Sequence, residues 1–198
     1  VVSEPFNYTI TKAPIAFEWT SGALVYNGRV HSPVPTINGT IYPRDQIEIV
    51  CTYDKPDANR KNIGQFTATA KLVSKIPSRP ADNYEIISGA TNEFFINYVQ
   101  LEISVSNTNL VYNGYAQAPV VEIKNKSAIV EGDVLELVVT GGGTEVGSYT
   151  LTVKLKNNNS EPAKNYKLKY ENQFDLEIRI NFNIIAPDAR RIDFAEGG

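Results

Sequence analysis

The sequence predicts an all-β protein built as two tandem β-sandwich modules in an elongated arrangement. Three observations carry that prediction. A ten-residue phrase, LVYNGRVHSP at 24–33, returns as LVYNGYAQAP at 110–119. The segments around both copies alternate apolar and polar residues with the two-residue period of half-buried strands. No stretch places apolar residues at helical spacing between capping residues.

The elements follow in order along both copies. Ile15, Phe17 and Trp19 stand 86 positions before Leu101, Ile103 and Val105, and both triplets alternate. Tyr26, Asn27, Gly28 and Pro33 recur at the same offset as Tyr112, Asn113, Gly114 and Pro119. Asn-Gly is the strongest two-residue hairpin signal, because both residues tolerate positive φ. Tyr26-Asn27-Gly28 and Tyr112-Asn113-Gly114 are therefore expected to be structural turns, with the tyrosine sealing one end of the sandwich.

Farther on, RDQIEIVCTY (44–53) aligns with GDVLELVVTG (132–141) at an offset of 88, setting Ile47, Ile49 and Cys51 against Leu135, Leu137 and Val139. IGQFTATAKL (63–72) matches VGSYTLTVKL (146–155) at an offset of 83, with Phe66, Ala68, Ala70 and Leu72 inward in the first and Tyr149, Leu151, Val153 and Leu155 in the second. PADNY (80–84) matches PAKNY (162–166) at an offset of 82. A drift of this kind is what insertions and deletions between fixed strands produce. Short strands repeated in blocks of this length argue for Ig-like sandwiches. The expected boundaries are 5–97 and 98–182, with 183–198 a tail or the start of a further module. The stretch 92–105 holds no Gly or Pro, so the closing strand of the first module is expected to run into the opening strand of the second without a hinge residue.

Composition sets limits on function. A chain of 198 residues suits two domains of about 90–100 residues. A net charge of −3 argues against nucleic acid as a partner, which would call for a basic face. No apolar run approaches the ~18 residues of a membrane span. One cysteine excludes an internal disulfide, and the lack of any Met leads us to expect a processed form or an excised fragment.

Candidate chemistry is sparse. Cys51 and His31 are the only residues of their kinds, so a Cys–His nucleophilic pair is formally available. Cys51, however, occupies the place of Val139 and reads as a small core residue, while His31 lies in a loop opposite Gln117. Zinc lacks ligands in number. The glycine run in GGGTEVG (141–147) precedes a strand, so it is a hairpin connection and not a phosphate loop. Glu48 and Glu136 fall on outward strand positions, and Asp45 and Asp133 precede a strand in both copies, which suits turn-capping hydrogen bonds. A calcium site at Glu131 or Asp133 would lack the dense acidic loop such sites use. Lys154, Lys156, Lys167 and Lys169 read as a solvated outer face. No catalytic, cofactor-binding or metal-binding residue is expected. Tyr42, Tyr53 and Tyr115 lack aromatic counterparts across the repeat and are the candidate ligand contacts of a binding module.

FNYTITKAPIAFEW (6–19), then YNG, VGSYTLTV and an NY pair before a closing strand, resembles the MBG and YDG domains of large bacterial surface proteins. The resemblance implies Ig-like modules strung in tandem on the bacterial cell surface, extracellular and adhesin-like, with no catalytic residues to carry over. The expected function is a stalk, spacer or adhesive segment without enzymatic activity, monomeric, with a host protein or glycan as the class of ligand. The alternatives are a carbohydrate- or protein-binding module, or accessory domains of a larger secreted enzyme.

Overall fold

The computed structural model describes residues 7–20 and 22–188. Residues before Asn7, Ser21 of the expected Ser21-Gly22 turn, and the tail from 189 onward lie outside the described residues. Among the described residues the chain forms fifteen strands and four short 3-10 turns, and no helix exceeds four residues. This is the all-β, sandwich-like architecture that the alternation predicts. None of its helices is long and apolar enough to cross a membrane. The chain divides into two compact units between Asn97 and Tyr98.

The first unit holds β1 (Ala13–Glu18), β2 (Leu24–Val25), β3 (Thr36–Asn38), β4 (Ile47–Tyr53), β5 (Gly64–Ser74), β6 (Tyr84–Ser88) and β7 (Thr91–Asn97). They form a three-stranded sheet ordered β3-β1-β6 and a four-stranded sheet ordered β2-β7-β5-β4. The second unit holds β8 (Val99–Ser106), β9 (Asn109–Val111), β10 (Val120–Ile123), β11 (Leu137–Thr140), β12 (Gly147–Leu155), β13 (Tyr166–Tyr170), β14 (Gln173–Asp175) and β15 (Glu177–Ile185). Its sheets run β10-β8-β13-β14 and β11-β12-β15-β9. With β14 set aside, the second unit repeats the first strand for strand, including which pairs are parallel. β15 continues to Ile185, three residues past the expected boundary, and Ile184 is buried within it.

Most of the inward sets named from alternation are buried or half-buried in the two cores, but Val139, expected inward like Cys51, is exposed, because β11 is a four-residue edge strand that starts only at Leu137. Ile15 and Phe17 of β1 pack with Ala70 and Tyr84 in one cluster, against which Trp19, Ile47, Ile49, Cys51 and Leu72 are half-buried. Leu101, Leu151, Val153, Tyr166, Leu168 and Ile178 are fully enclosed in the second unit. The copies distribute volume differently. In the first core Phe17 shares a cluster with Ala70, and Trp19 packs against it, whereas the corresponding positions of the second copy are Ile103, Val153 and Val105. A large residue at 17 thus goes with a small one at 70, and the second copy has a smaller and a larger residue at these places. A ring pair is kept unchanged: Phe66 stacks on Phe94 with centroids 5.5 Å apart at 26°, and Tyr149 stacks on Phe182 at the same distance and angle.

The Asn-Gly turns are present, with φ of 73° at Gly28 and 81° at Gly114. Neither closes a hairpin, which corrects the expectation from the sequence. β2 and β9 pair in parallel with the last strand of their own unit, and the strand after each turn belongs to the opposite sheet. The asparagine side chain makes the turn: Asn27 Oδ1 accepts the Arg29 N–H at 2.9 Å, and Asn113 Oδ1 accepts the Tyr115 N–H at 2.9 Å. Tyr26 is buried and continues the ladder with its own N–H to the Asn97 carbonyl, while Tyr112 does the same toward Ile185 and stays partly exposed.

The two units treat one sheet edge differently. β6 carries a bulge, where its register on β1 slips by one residue between Ile86 and Ser88. It then crosses to β7 through Gly89 and Ala90. Gly89 has φ +76°, and a Cβ there would run into the Phe17 carbonyl oxygen. In the second unit β13 pairs regularly with β8 and its free edge is covered by β14. A bulge and an added strand are two recognised ways to blunt an edge against unwanted pairing.

Candidate functional site

Each unit carries a tyrosine latch at one end. The Tyr84 hydroxyl donates to Asp45 Oδ2 at 2.6 Å and accepts the Tyr42 N–H at 3.0 Å. Tyr166 repeats this with Asp133 Oδ2 at 2.6 Å and the Val130 N–H at 3.0 Å. PADNY and PAKNY supply the tyrosines, and the residues before β4 and before Leu135 supply the aspartates. The carboxylates expected to cap turns therefore do so through a buried phenol that ties the two segments together. Burial first, and then the bond to the Asp45 carboxylate, pushes Tyr84 above the usual tyrosine range. Among the described residues no three His, Cys, Asp or Glu side chains gather as a metal would require.

A polar cluster without a counterpart among the described residues of the second unit occupies the other end of β4. The Arg60 guanidinium lies over the Tyr53 ring at 3.8 Å and is 4% exposed. Its Nη2 donates to Ser32 Oγ at 3.3 Å and pairs with Asp57. Tyr53 donates its hydroxyl proton to the Pro33 carbonyl at 3.0 Å and meets Phe94 edge-on. The His31 N–H reaches the Arg60 carbonyl at 3.1 Å. Burial pushes His31 below the usual histidine range and lifts Tyr53 and Cys51 above theirs. Cys51 is half-buried against the first core, a place where a thiol acts as packing. In the second unit the place of Tyr53 is taken by Gly141. A bridge between Gln117 and Gly143 closes that end.

Two of the grooves on the first unit bear on ligand binding. One, of about 670 Å³, is lined by Lys12, Tyr42, Arg44, Asp82, Asn83 and Tyr84. The other, of about 400 Å³, is lined by Trp19, Asn92, Glu93, Phe95 and Asn97 among others. Phe95 is 52% exposed, flanked on β5 by Gln65, which donates to Glu93 at 3.2 Å. The equivalent position of the second unit is Asn183, whose side-chain oxygen accepts the Ser148 hydroxyl at 2.8 Å.

The two first-unit tyrosines singled out from sequence do not share one site. Tyr42 and Tyr53 lie beyond and at opposite ends of β4, Tyr53 is engaged beneath Arg60, and Tyr115 belongs to the second unit, where it is exposed. Of the three, only Tyr42 lines a groove among those described. The four lysines also part company. Lys154 lies on β12 and Lys156 in the turn just after it, paired to Glu136 at 2.7 Å. Lys167 lies on β13, over the Tyr98 and Phe174 rings. Sequence reading passed over Phe95 and Arg60. Phe94-Phe95 looks like one apolar run, and only the strict alternation of β7 shows that the second ring points out.

The fold and its surface define a repeated all-β, sandwich-like chain whose two copies differ chiefly at their ends and outer faces. No family model, curated protein or solved structure matches the chain.

Proposed function

We propose that the chain is a non-catalytic, extracellular segment of a bacterial cell-surface protein, in which two Ig-like modules serve as stalk or spacer. The carrying observation is that the whole strand pairing of the first unit, latch included, occurs again in the second. A duplicated fold whose polar decoration changes from copy to copy keeps what packing needs and conserves no reactive constellation between its copies. The MBG and YDG resemblance supports the surface setting.

A second reading, a glycan- or protein-binding module, is favoured by one observation: Phe95 stands exposed in a groove beside Asn92, Glu93 and Asn97. An exposed ring flanked by amides and a carboxylate is the chemistry of a sugar subsite. Screening the chain against immobilised glycans and host matrix proteins separates the two. The stalk reading expects no saturable binding. Saturable binding that disappears in Phe95→Ala while thermal stability is kept replaces it with the second reading.

A further inference from the structure

In the first unit the opening and closing segments of the chain travel together. β1 pairs in parallel with β6, with partner numbers differing by 71 at Ala13 and Tyr84 and by 72 at Ala16 and Ser88. β2 pairs in parallel with β7 in the opposite sheet, and the difference is still 72 at Leu24 and Ile96 and at Val25 and Asn97. An unchanged difference means that both segments switch sheets side by side. Trp19 Nε1 bonds the Gly89 carbonyl at 2.8 Å where they cross. The far end is fastened by the Tyr26 N–H to the Asn97 carbonyl at 3.0 Å and by Asn97 Nδ2 to the Leu24 carbonyl at 3.1 Å.

The second unit repeats the arrangement. β8 runs parallel to β13 at a difference of 67, and β9 parallel to β15 at 74. The seven-residue step falls where β14 is inserted. Tyr112 N–H to the Ile185 carbonyl and Asn183 N–H to the Thr108 carbonyl, both 2.9 Å, fasten this copy.

Parallel first and last strands have a mechanical meaning. Tension along the chain pulls the first strand toward its N-terminal end and the last strand toward its C-terminal end. In a parallel pair those ends lie at opposite ends of the ladder, so the force runs along the strands and shears all of their hydrogen bonds together. An antiparallel hairpin pulled at its open end gives way one bond at a time. We propose that the parallel first–last pair is a tension clamp and that each unit is built to carry force along the chain. Its biological sense rests on the stalk reading, whereas the clamp itself is tested without it.

The test is single-molecule pulling on the whole chain, with the unfolding force as readout, since forced unfolding reports the unfolding barrier and not equilibrium stability. Pulled end to end, the first unit should resist at least about twice the force needed when handles are placed at Glu48→Cys and Lys75→Cys in a Cys51→Ala background. Those two positions are exposed neighbours, salt-bridged at 3.1 Å at one end of the β4–β5 pair, so that pulling unzips it.

Two adjacent prolines refine the test. Tyr26 turns its N–H to β7, so Leu24 does too, and Val25 turns its own away from the ladder. Leu24→Pro should lower the force of one event by half or more and leave the other event unchanged, while Val25→Pro should lower it far less. Leu110→Pro repeats the test in the second unit. Equal forces in the two pulling directions, or equal effects of the two prolines, overturn the clamp. Where a proline variant loses its unit's event altogether, the comparison of pulling directions on the parent sequence decides. A strong clamp in a chain that binds glycans through Phe95 keeps this proposal and overturns the stalk reading alone.

Discussion

Tyr84 and Asp45 stand 39 residues apart in sequence and 2.6 Å apart in space, and the same phenol holds the Tyr42 N–H. Replacing Tyr84 by Phe leaves a half-buried carboxylate and a backbone donor without their partner, at a cost of about 1–3 kcal/mol. Unfolding in urea, followed through Trp19 fluorescence for the first unit, should show the loss there. Amide exchange should show the second unit unchanged.

The latch also predicts an alkaline limit. Tyr84 is held above its ordinary value, so the folded unit keeps a proton that the unfolded chain releases near pH 10. The stabilisation is complete below pH 10 and is lost as pH rises through the higher folded-state value. Between the two, the slope of stability against pH should be shallower in Tyr84→Phe than in the parent chain. An identical slope would mean that the phenol is not the group responsible.

The turn glycines give a cleaner case, because Gly114 has positive φ and open space around it. Gly114→Val therefore meets no steric obstacle beyond its own backbone, and the expected loss is about 1–3 kcal/mol, confined to the second unit. Gly114→Asn, which tolerates the same conformation, should recover most of it. Chemical denaturation of both variants checks this.

Cys51 should be slow to react. Burial raises its thiol above the ordinary range, so at neutral pH little thiolate is present. The measured quantity is the labelling rate by a disulfide reagent, expected to be well below that of the denatured chain. Equal rates would place the thiol in water.

The core volumes predict a coupling. Ala70 and Phe17 share one cluster, so Ala70→Val alone should overpack the first unit by about 1–3 kcal/mol. Adding Phe17→Ile imports the second unit's solution and should recover part of that loss. A double-mutant cycle measures the interaction energy, expected at about 0.5–3 kcal/mol.

Much of this fold is legible in the sequence, because β1, β5 and their copies β8 and β12 alternate over enough residues for the period to show, whereas β11, the copy of β4, is four residues long and does not. Partner choice is not. Leu24-Val25 is too short to carry a period, and its mate lies 72 residues away, so Asn27-Gly28 reads as a hairpin though the chain crosses to the other sheet. Arg60 sits among Asp57, Asn59 and Lys61 and reads as solvated loop. Its burial is decided by Tyr53 and Ser32, which no local pattern connects to it. The latch leaves a signal in two halves: the Asp and the Tyr each recur, and recurring together marks them as partners.

The inverted volumes of the two cores bear on how the chain reaches its native state. Neighbouring repeats of similar sequence are prone to trade strands while folding. A β12 strand entering the first unit would bring Val153 into the cluster of Phe17 and Trp19, where Ala70 belongs. A β5 strand entering the second would put alanines where Leu151 and Val153 are fully buried and leave voids there. Both errors cost free energy, through crowding in one direction and lost contact in the other. The difference at 68 and 70 thus gives each copy an identity of its own, by which a strand is accepted at home and refused next door.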